Sequence, residues 1–137
     1  MANERLSLSY LKRAQIRLLL LDQLLKEEDL PDVIREAQEI VELCQKAILL
    51  KKGVIPPKWH DVSDIIEGYL RLMPNDTRRI LKELTKGAKW LRSQREVAFY
   101  GSIDLIPEDL YLIEDARRAI EIAKRYTEVA KKIIKEI

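Results

Sequence analysis

The chain has 137 residues, of which 47% are hydrophobic and 35% charged, with only four glycines and five prolines. This composition favours one domain with a real hydrophobic core and long amphipathic helices. The formal net charge of +2 gives no global basic field that would demand nucleic acid.

The cysteine count and the apolar runs of the chain indicate the compartment in which it resides. A single cysteine, Cys44, excludes an internal disulfide and fits a reducing environment. The N-terminus "MANERLSLSY" lacks the apolar stretch of a signal peptide, and no apolar run approaches the roughly 18 residues that span a bilayer. We therefore expect a soluble, cytoplasmic protein. Abundant Lys, Glu and Ile weakly indicate a thermophilic source.

Charge is unevenly distributed along the chain. Residues 27–42 contain seven acidic residues and one arginine, a net charge of −6. Residues 71–95 contain eight basic and two acidic residues, a net charge of +6. Such asymmetry indicates a surface for a partner, although solvated helix faces explain it equally well.

The first helix is predicted near residues 4–28. Leu19 and Leu20 lie off its main apolar stripe, so this helix is apolar on more than one side and is expected either at the centre of the fold or at a subunit interface. The stripe itself recurs at spacings of three and four residues: Leu8, Leu11, Ala14, Leu18, Leu21 and Leu25.

The second helix is predicted near residues 31–52. Asp29 can cap it, Pro31 suits its first turn, and Gly53 is expected to stop it. Its inward positions are Val33, Ile34, Ala37, Ile40, Val41, Cys44, Ala47 and Ile48.

Three more helices are predicted near residues 61–73, 76–100 and 107–135. Asp61 is expected to cap the third helix, Gly87 to kink or split the fourth, and Pro107 to open the fifth. The fifth helix should turn these residues inward: Ile113, Ala116, Ile120, Ala123, Thr127, Ala130, Ile134 and Ile137. The whole pattern predicts an all-α, up-and-down-like bundle of about five helices in a single domain, residues 1–137.

Three segments in this order resemble one known family: "SYLKRAQIRLLLLDQLL", "REAQEIVELCQKAILLKKG" and "PPKWHD". They are similar to the HEPN family (higher eukaryotes and prokaryotes nucleotide-binding), over about residues 10–132. The resemblance implies an α-helical bundle that often dimerises and is widely found beside a minimal nucleotidyltransferase, as the toxin half of a toxin–antitoxin pair. Many members are metal-independent ribonucleases that use an R-x4-6-H motif in the dimer cleft.

This chain departs from that motif. Arg95 is followed by "EVAFYGSIDL", so Tyr100 stands where a histidine is often found. A tyrosine, with a free-solution pKa near 10, is a poor base at neutral pH. Arg95 itself can stabilise charge that develops on a phosphate or hold a phosphate through a bidentate contact.

The remaining candidates allow two interpretations each. Lys89, Arg92 and Arg95 form a basic edge near Trp90 and Tyr100 that suits RNA; alternatively, Arg95 pairs with Glu39 or Glu42 across the bundle and the aromatic residues are core. Glu42 and Lys46 either line the same cleft or form an intrahelical ion pair. His60, the only histidine, is more readily a local hydrogen-bonding residue at a helix start than a proton-transfer group.

The sequence gives little indication of a metal site, a reactive cysteine or a cofactor site. Cys44 lies on an apolar stripe and is interpreted as core, and one histidine with one cysteine makes no metal-ligand set. No glycine-rich phosphate loop is present, so no cofactor is expected.

Two hypotheses about function remain. The favoured one is a HEPN-type binding protein that forms a homodimer, associates with a minimal nucleotidyltransferase and contacts RNA. The alternative is a metal-independent ribonuclease toxin that uses Arg95 and Tyr100 as a degenerate R-x4-Y motif.

Overall fold

The structure, a computed structural model, describes residues 2–56, 58, 62–99 and 101–135. Within these ranges it contains helices and no strand, so the predicted all-α bundle is confirmed; a single antiparallel bridge joins Ser102 and Leu105. The five α-helices are α1 (Ala2–Lys26), α2 (Leu30–Lys51), α3 (Val62–Gly68), α4 (Asn75–Phe99) and α5 (Ile113–Ile134).

Helix α2 occupies the centre of the bundle. It packs against α1, α4 and α5, and apolar positions around most of its circumference are buried. Burial of one helix by three neighbours provides the main hydrophobic stabilisation of the fold. All eight residues that the sequence assigns inward are buried: Val33, Ile34, Ala37, Ile40, Val41, Cys44, Ala47 and Ile48.

Both ends of α2 follow the local sequence signals. At its start, the Asp29 carboxylate accepts a hydrogen bond from the Asp32 backbone N–H at 3.4 Å. At its end, Gly53 has a φ of +82° and the Val54 N–H donates to the Leu49 carbonyl at 2.9 Å. This is a Schellman-type end, in which a left-handed residue without a Cβ closes the last turn.

The apolar stripe of α1 is confirmed only in part. Leu11, Ala14 and Leu21 are buried, but Leu8 is exposed and Ser7 is buried in its place. The Ser7 hydroxyl donates to the Ala47 carbonyl at 2.7 Å. A small hydroxyl residue with this partner lets the start of α1 lie close against α2, which turns Leu8 towards solvent.

The third predicted helix is shorter than expected. It ends at Gly68, and a 3₁₀ turn, Leu70–Leu72, replaces the rest of the expected 61–73 span. Arg78 donates hydrogen bonds to the backbone carbonyls of Leu70 at 3.0 Å and of Met73 at 3.0 Å. The arginine side chain thus supplies donors to carbonyls that would pair with backbone N–H groups in a continuing helix. The predicted cap, Asp61, lies outside the described residues.

The last helix begins later than predicted. Pro107 opens a 3₁₀ turn, Pro107–Asp109, and α5 itself starts at Ile113. The Leu112 N–H donates to the Asp115 carboxylate at 2.9 Å, so the effective start signal is Asp115 rather than Glu108 or Asp109. Ile113, which the sequence turns inward, is exposed; Ile137 lies outside the described residues.

Gly87 does not split α4, which is continuous from Asn75 to Phe99. The glycine instead permits close packing, because a Cβ at this position would lie 2.7 Å from Cδ1 and 2.9 Å from Cγ1 of Ile122 on α5. Absence of a side chain therefore sets the distance between α4 and α5.

Gly87→Ala is expected to destabilise the protein by about 1–2 kcal/mol, because overpacking outweighs the gain in helix propensity. Combining it with Ile122→Val, which removes the nearest methyl group, should recover part of that loss in a double-mutant cycle. Urea unfolding followed by circular dichroism measures the effect. A Gly87→Ala protein as stable as the wild type would contradict the packing role.

None of the helices in the described part of the chain combines the length and apolarity needed to cross a membrane.

Candidate functional site

Helices α2 and α4 meet along a seam of opposite charges. Arg95 on α4 lies 3.4 Å from the Glu42 carboxylate and 3.6 Å from that of Glu39, both on α2. Arg92, one turn earlier on α4, lies 3.7 Å from Glu42. The two helices therefore bring the basic segment of the chain against the acidic one, and the predicted pairing of Arg95 across the bundle is present.

Glu42 is the centre of this cluster. Besides the two arginines, its carboxylate contacts Lys46 at 3.6 Å and accepts a hydrogen bond from the Gln38 amide at 3.3 Å. The Glu42 side chain is only 16% exposed, whereas that of Arg95 is 49% exposed. The carboxylate thus sits beneath a layer of cationic groups that reach solvent.

Gln38 is a member of the cluster that the sequence analysis missed. It is buried, and its Oε1 atom has no hydrogen-bond partner within the described residues. Its position one helical turn before Glu42 is the available signal, because residues four apart share a helix face. A buried amide here holds Glu42 in place while leaving one acceptor unused.

The cluster carries a net charge of +1, from Arg92, Arg95 and Lys46 against Glu39 and Glu42. Each partly exposed ion pair contributes only about 0–1 kcal/mol to stability. The pairs therefore orient the guanidinium groups more than they stabilise the fold. Chemically, this arrangement can bind an anion and supply electrostatic stabilisation; the five residues of the cluster, which all lie in the described part of the chain, include no group suited to proton transfer at neutral pH.

Lys89 and Trp90 do not join this cluster. Lys89 forms an ion pair with Asp64 on α3, and Trp90 stacks with Arg118 of α5, whose guanidinium carbon is 4.4 Å from the ring centroid. Trp90 and Arg92 point roughly 160° apart around α4, at 100° per residue. Trp90 therefore lies on a different side of α4 from Arg92, and its contact with Arg118 is outside the seam.

Two sequence-predicted site residues, His60 and Tyr100, lie outside the described residues. The proposed pairing of Arg95 with Tyr100 thus stays a prediction, as does any role of His60. Lys46 borders a groove between α1, α2 and the following loop, lined also by Tyr10, Pro56 and Lys58.

Cys44 is a core residue, as predicted. Its thiol lies 3.7 Å from the Thr127 hydroxyl, and burial raises the pKa of the thiol to about 12. It is therefore protonated at neutral pH and is neither a nucleophile nor a ready metal ligand. In the described part of the chain, no three His, Cys, Asp or Glu side chains are grouped so as to hold a metal ion.

Fold and site together define an all-α bundle whose second and fourth helices share a polar, arginine-bearing seam. A family model of the HEPN domain matches residues 7–134. The chain therefore belongs to the HEPN family, as its sequence segments indicated. No curated protein and no solved structure shows a significant match to it.

Proposed function

We propose that this HEPN protein acts by binding: it forms a dimer, associates with a minimal nucleotidyltransferase in a toxin–antitoxin-type system, and contacts RNA phosphates through Arg92 and Arg95. The observation that supports this most is the convergence of Arg92, Arg95 and Lys46 on the partly buried Glu42. Glu39 and Glu42 hold the guanidinium groups at a surface seam, where an incoming phosphate can share them.

The chemistry of arginine supports a binding role. A guanidinium has five N–H donors and matches the geometry of a phosphate, so contacts to a carboxylate leave donors for a second anion. About half of the Arg95 side chain is exposed. Because an RNA phosphate must compete with two carboxylates, we expect modest affinity that falls steeply as salt rises.

Association with a nucleotidyltransferase rests on family membership, since many HEPN proteins are found beside such an enzyme. Charged residues that lie outside the seam, such as Glu27 and Glu28 before α2 and Lys82 on α4, are exposed and can contact a charged partner. Copurification of the chain with the product of an adjacent nucleotidyltransferase gene tests the association. Separate elution of the two coexpressed proteins at low salt would count against it.

Replacing Arg92 and Arg95 together with alanine is expected to weaken binding of a single-stranded RNA about tenfold. Loss of two phosphate contacts should also lower the slope of log affinity against log salt by about 1.4. Fluorescence anisotropy with a labelled RNA at several salt concentrations measures both changes.

Arg79→Ala/Lys82→Ala is the matched control. Both residues are exposed on the same helix, and the substitution removes the same charge. It should change the affinity much less than the Arg92/Arg95 variant does. Equal weakening by the two variants would assign binding to general electrostatic attraction rather than to the seam.

A further inference from the structure

The connection between α4 and α5, residues 101–112, exposes an unusual number of apolar side chains. Ile103 is 98% exposed and Leu112 is 68% exposed. Other large apolar residues of the connection are also exposed: Leu105, Ile106 and Leu110. Concentration of five large exposed apolar residues in one short connection makes it a candidate interaction site.

This connection has a defined backbone. Gly101 has a φ of +62°, and a Cβ there would lie 2.6 Å from the Leu105 carbonyl oxygen, so the turn is closed tightly around it. The Ser102 N–H donates to that carbonyl at 2.8 Å. Tyr111 is buried, and its hydroxyl donates to the Gln94 side chain at 3.0 Å. The apolar side chains are therefore presented from an ordered frame, which reduces the entropy lost when a partner binds.

The same region is strongly acidic. Residues 101–115 contain five acidic residues and no basic residue. The connection also adjoins the acidic start of α2: the pKa of Asp32 is raised to about 6 by its hydrogen bond with Asp29 and by burial, with a smaller contribution from Glu108. Within the connection itself, the exposed apolar side chains are thus accompanied by three exposed acidic residues, Asp104, Glu108 and Asp109.

Charge decides which occupant fits this surface. A symmetric contact with a second copy of the chain would place the acidic connection against itself, because a two-fold interface uses the same patch on both subunits. RNA is disfavoured for the same reason, since its phosphates are negative. An apolar protein surface with a basic rim satisfies both the hydrophobic and the electrostatic requirements.

We propose that the connection, residues 101–112, is a docking segment for a different protein whose contact surface is apolar and bordered by lysine and arginine. Ile103 and Leu112 supply the apolar contacts, and Asp104, Glu108 and Asp109 attract the basic border. The inference rests on the partner-binding part of the proposed function and is independent of the RNA-binding part.

A short labelled amphipathic helix made of leucine and lysine serves as the probe, with a leucine–glutamate peptide of the same pattern as its charge control. Fluorescence anisotropy should show binding of the first peptide at low salt and no binding of the second. Ile103→Ser/Leu112→Ser should weaken binding at least about tenfold. Asp104→Asn/Glu108→Gln/Asp109→Asn should weaken it and reduce its salt dependence.

Ile55→Ser/Leu72→Ser, which removes two exposed apolar residues outside both α1 and the connection, is the matched control and should leave peptide binding unchanged. The Ile103/Leu112 variant should bind RNA like the wild type, which separates this test from that of the RNA seam. Failure of the leucine–lysine peptide to bind, or equal binding by all variants, would overturn the proposal. Conversion of a dimer to a monomer by the Ile103/Leu112 variant would overturn it too, because the segment would then be a self-interface.

Discussion

Purified protein incubated with single-stranded RNA in the presence of EDTA is expected to produce little or no cleavage. Arg95 can stabilise negative charge on a phosphate, but an arginine supplies no base near neutral pH. Its contacts with Glu39 and Glu42 also occupy part of the guanidinium before any substrate arrives. A tyrosine at position 100 is a poor substitute for histidine, and the absence of acid–base catalysis costs about 10²–10⁴-fold in rate.

Denaturing electrophoresis of an end-labelled RNA measures this directly. An Arg95→Ala protein purified in parallel reports any contaminating nuclease, and Arg79→Ala reports the effect of losing a charge elsewhere on α4. Cleavage that survives EDTA, disappears in Arg95→Ala and persists in Arg79→Ala would contradict the expectation. Loss of that cleavage in Tyr100→Phe would then favour the alternative ribonuclease with an R-x4-Y motif.

The parts of the fold that could be predicted are those governed by local signals. Helix α2 was predicted almost residue by residue, since Asp29 and Gly53 fix its ends and its apolar positions repeat with the helical period. Where tertiary contacts compete, the prediction failed. Ser7 lies four residues before Leu11 and seven before Ala14, so the helical period places it on the buried face. What periodicity does not reveal is the Ala47 carbonyl that accepts its hydroxyl hydrogen bond. Similarly, Asp115 rather than Pro107 sets the start of α5.

The residues of the candidate site could also be predicted only in part. Pairing of Arg95 with Glu39 or Glu42 could be anticipated, because opposite charges on two long helices are readily placed together. Grouping Lys89 with Arg92 and Arg95 was less secure, since each three-residue step turns the side chain by about 60° around the helix. Lys89 consequently points to Asp64 on α3, while Trp90 faces Arg118 on α5.

A homodimer formed through α1 is expected in solution, and it should dissociate when Leu19 and Leu20 are replaced with glutamate. On the side of α1 away from the core, Leu19 is 77% exposed and Leu20 is 51% exposed. Burial of one leucine side chain stabilises an interface by about 1.5–3 kcal/mol. In a two-fold dimer both subunits bury their Leu19 and Leu20, so the contribution of each residue counts for two side chains. Leu19→Glu/Leu20→Glu should therefore raise the dimer dissociation constant about a thousandfold or more.

Light scattering coupled to size-exclusion chromatography, at a concentration where the wild type is dimeric, distinguishes the two species. Because both leucines are exposed in the single chain, the variant should keep its helical circular dichroism signal and its cooperative unfolding. Ile103→Ser/Leu112→Ser alters exposed apolar residues on another surface and should leave the dimer intact. A wild-type protein that remains monomeric at high micromolar concentration would show that the exposed face of α1 does not support self-association. Dimers that persist in the Leu19/Leu20 variant would instead place the self-interface on another surface of the bundle.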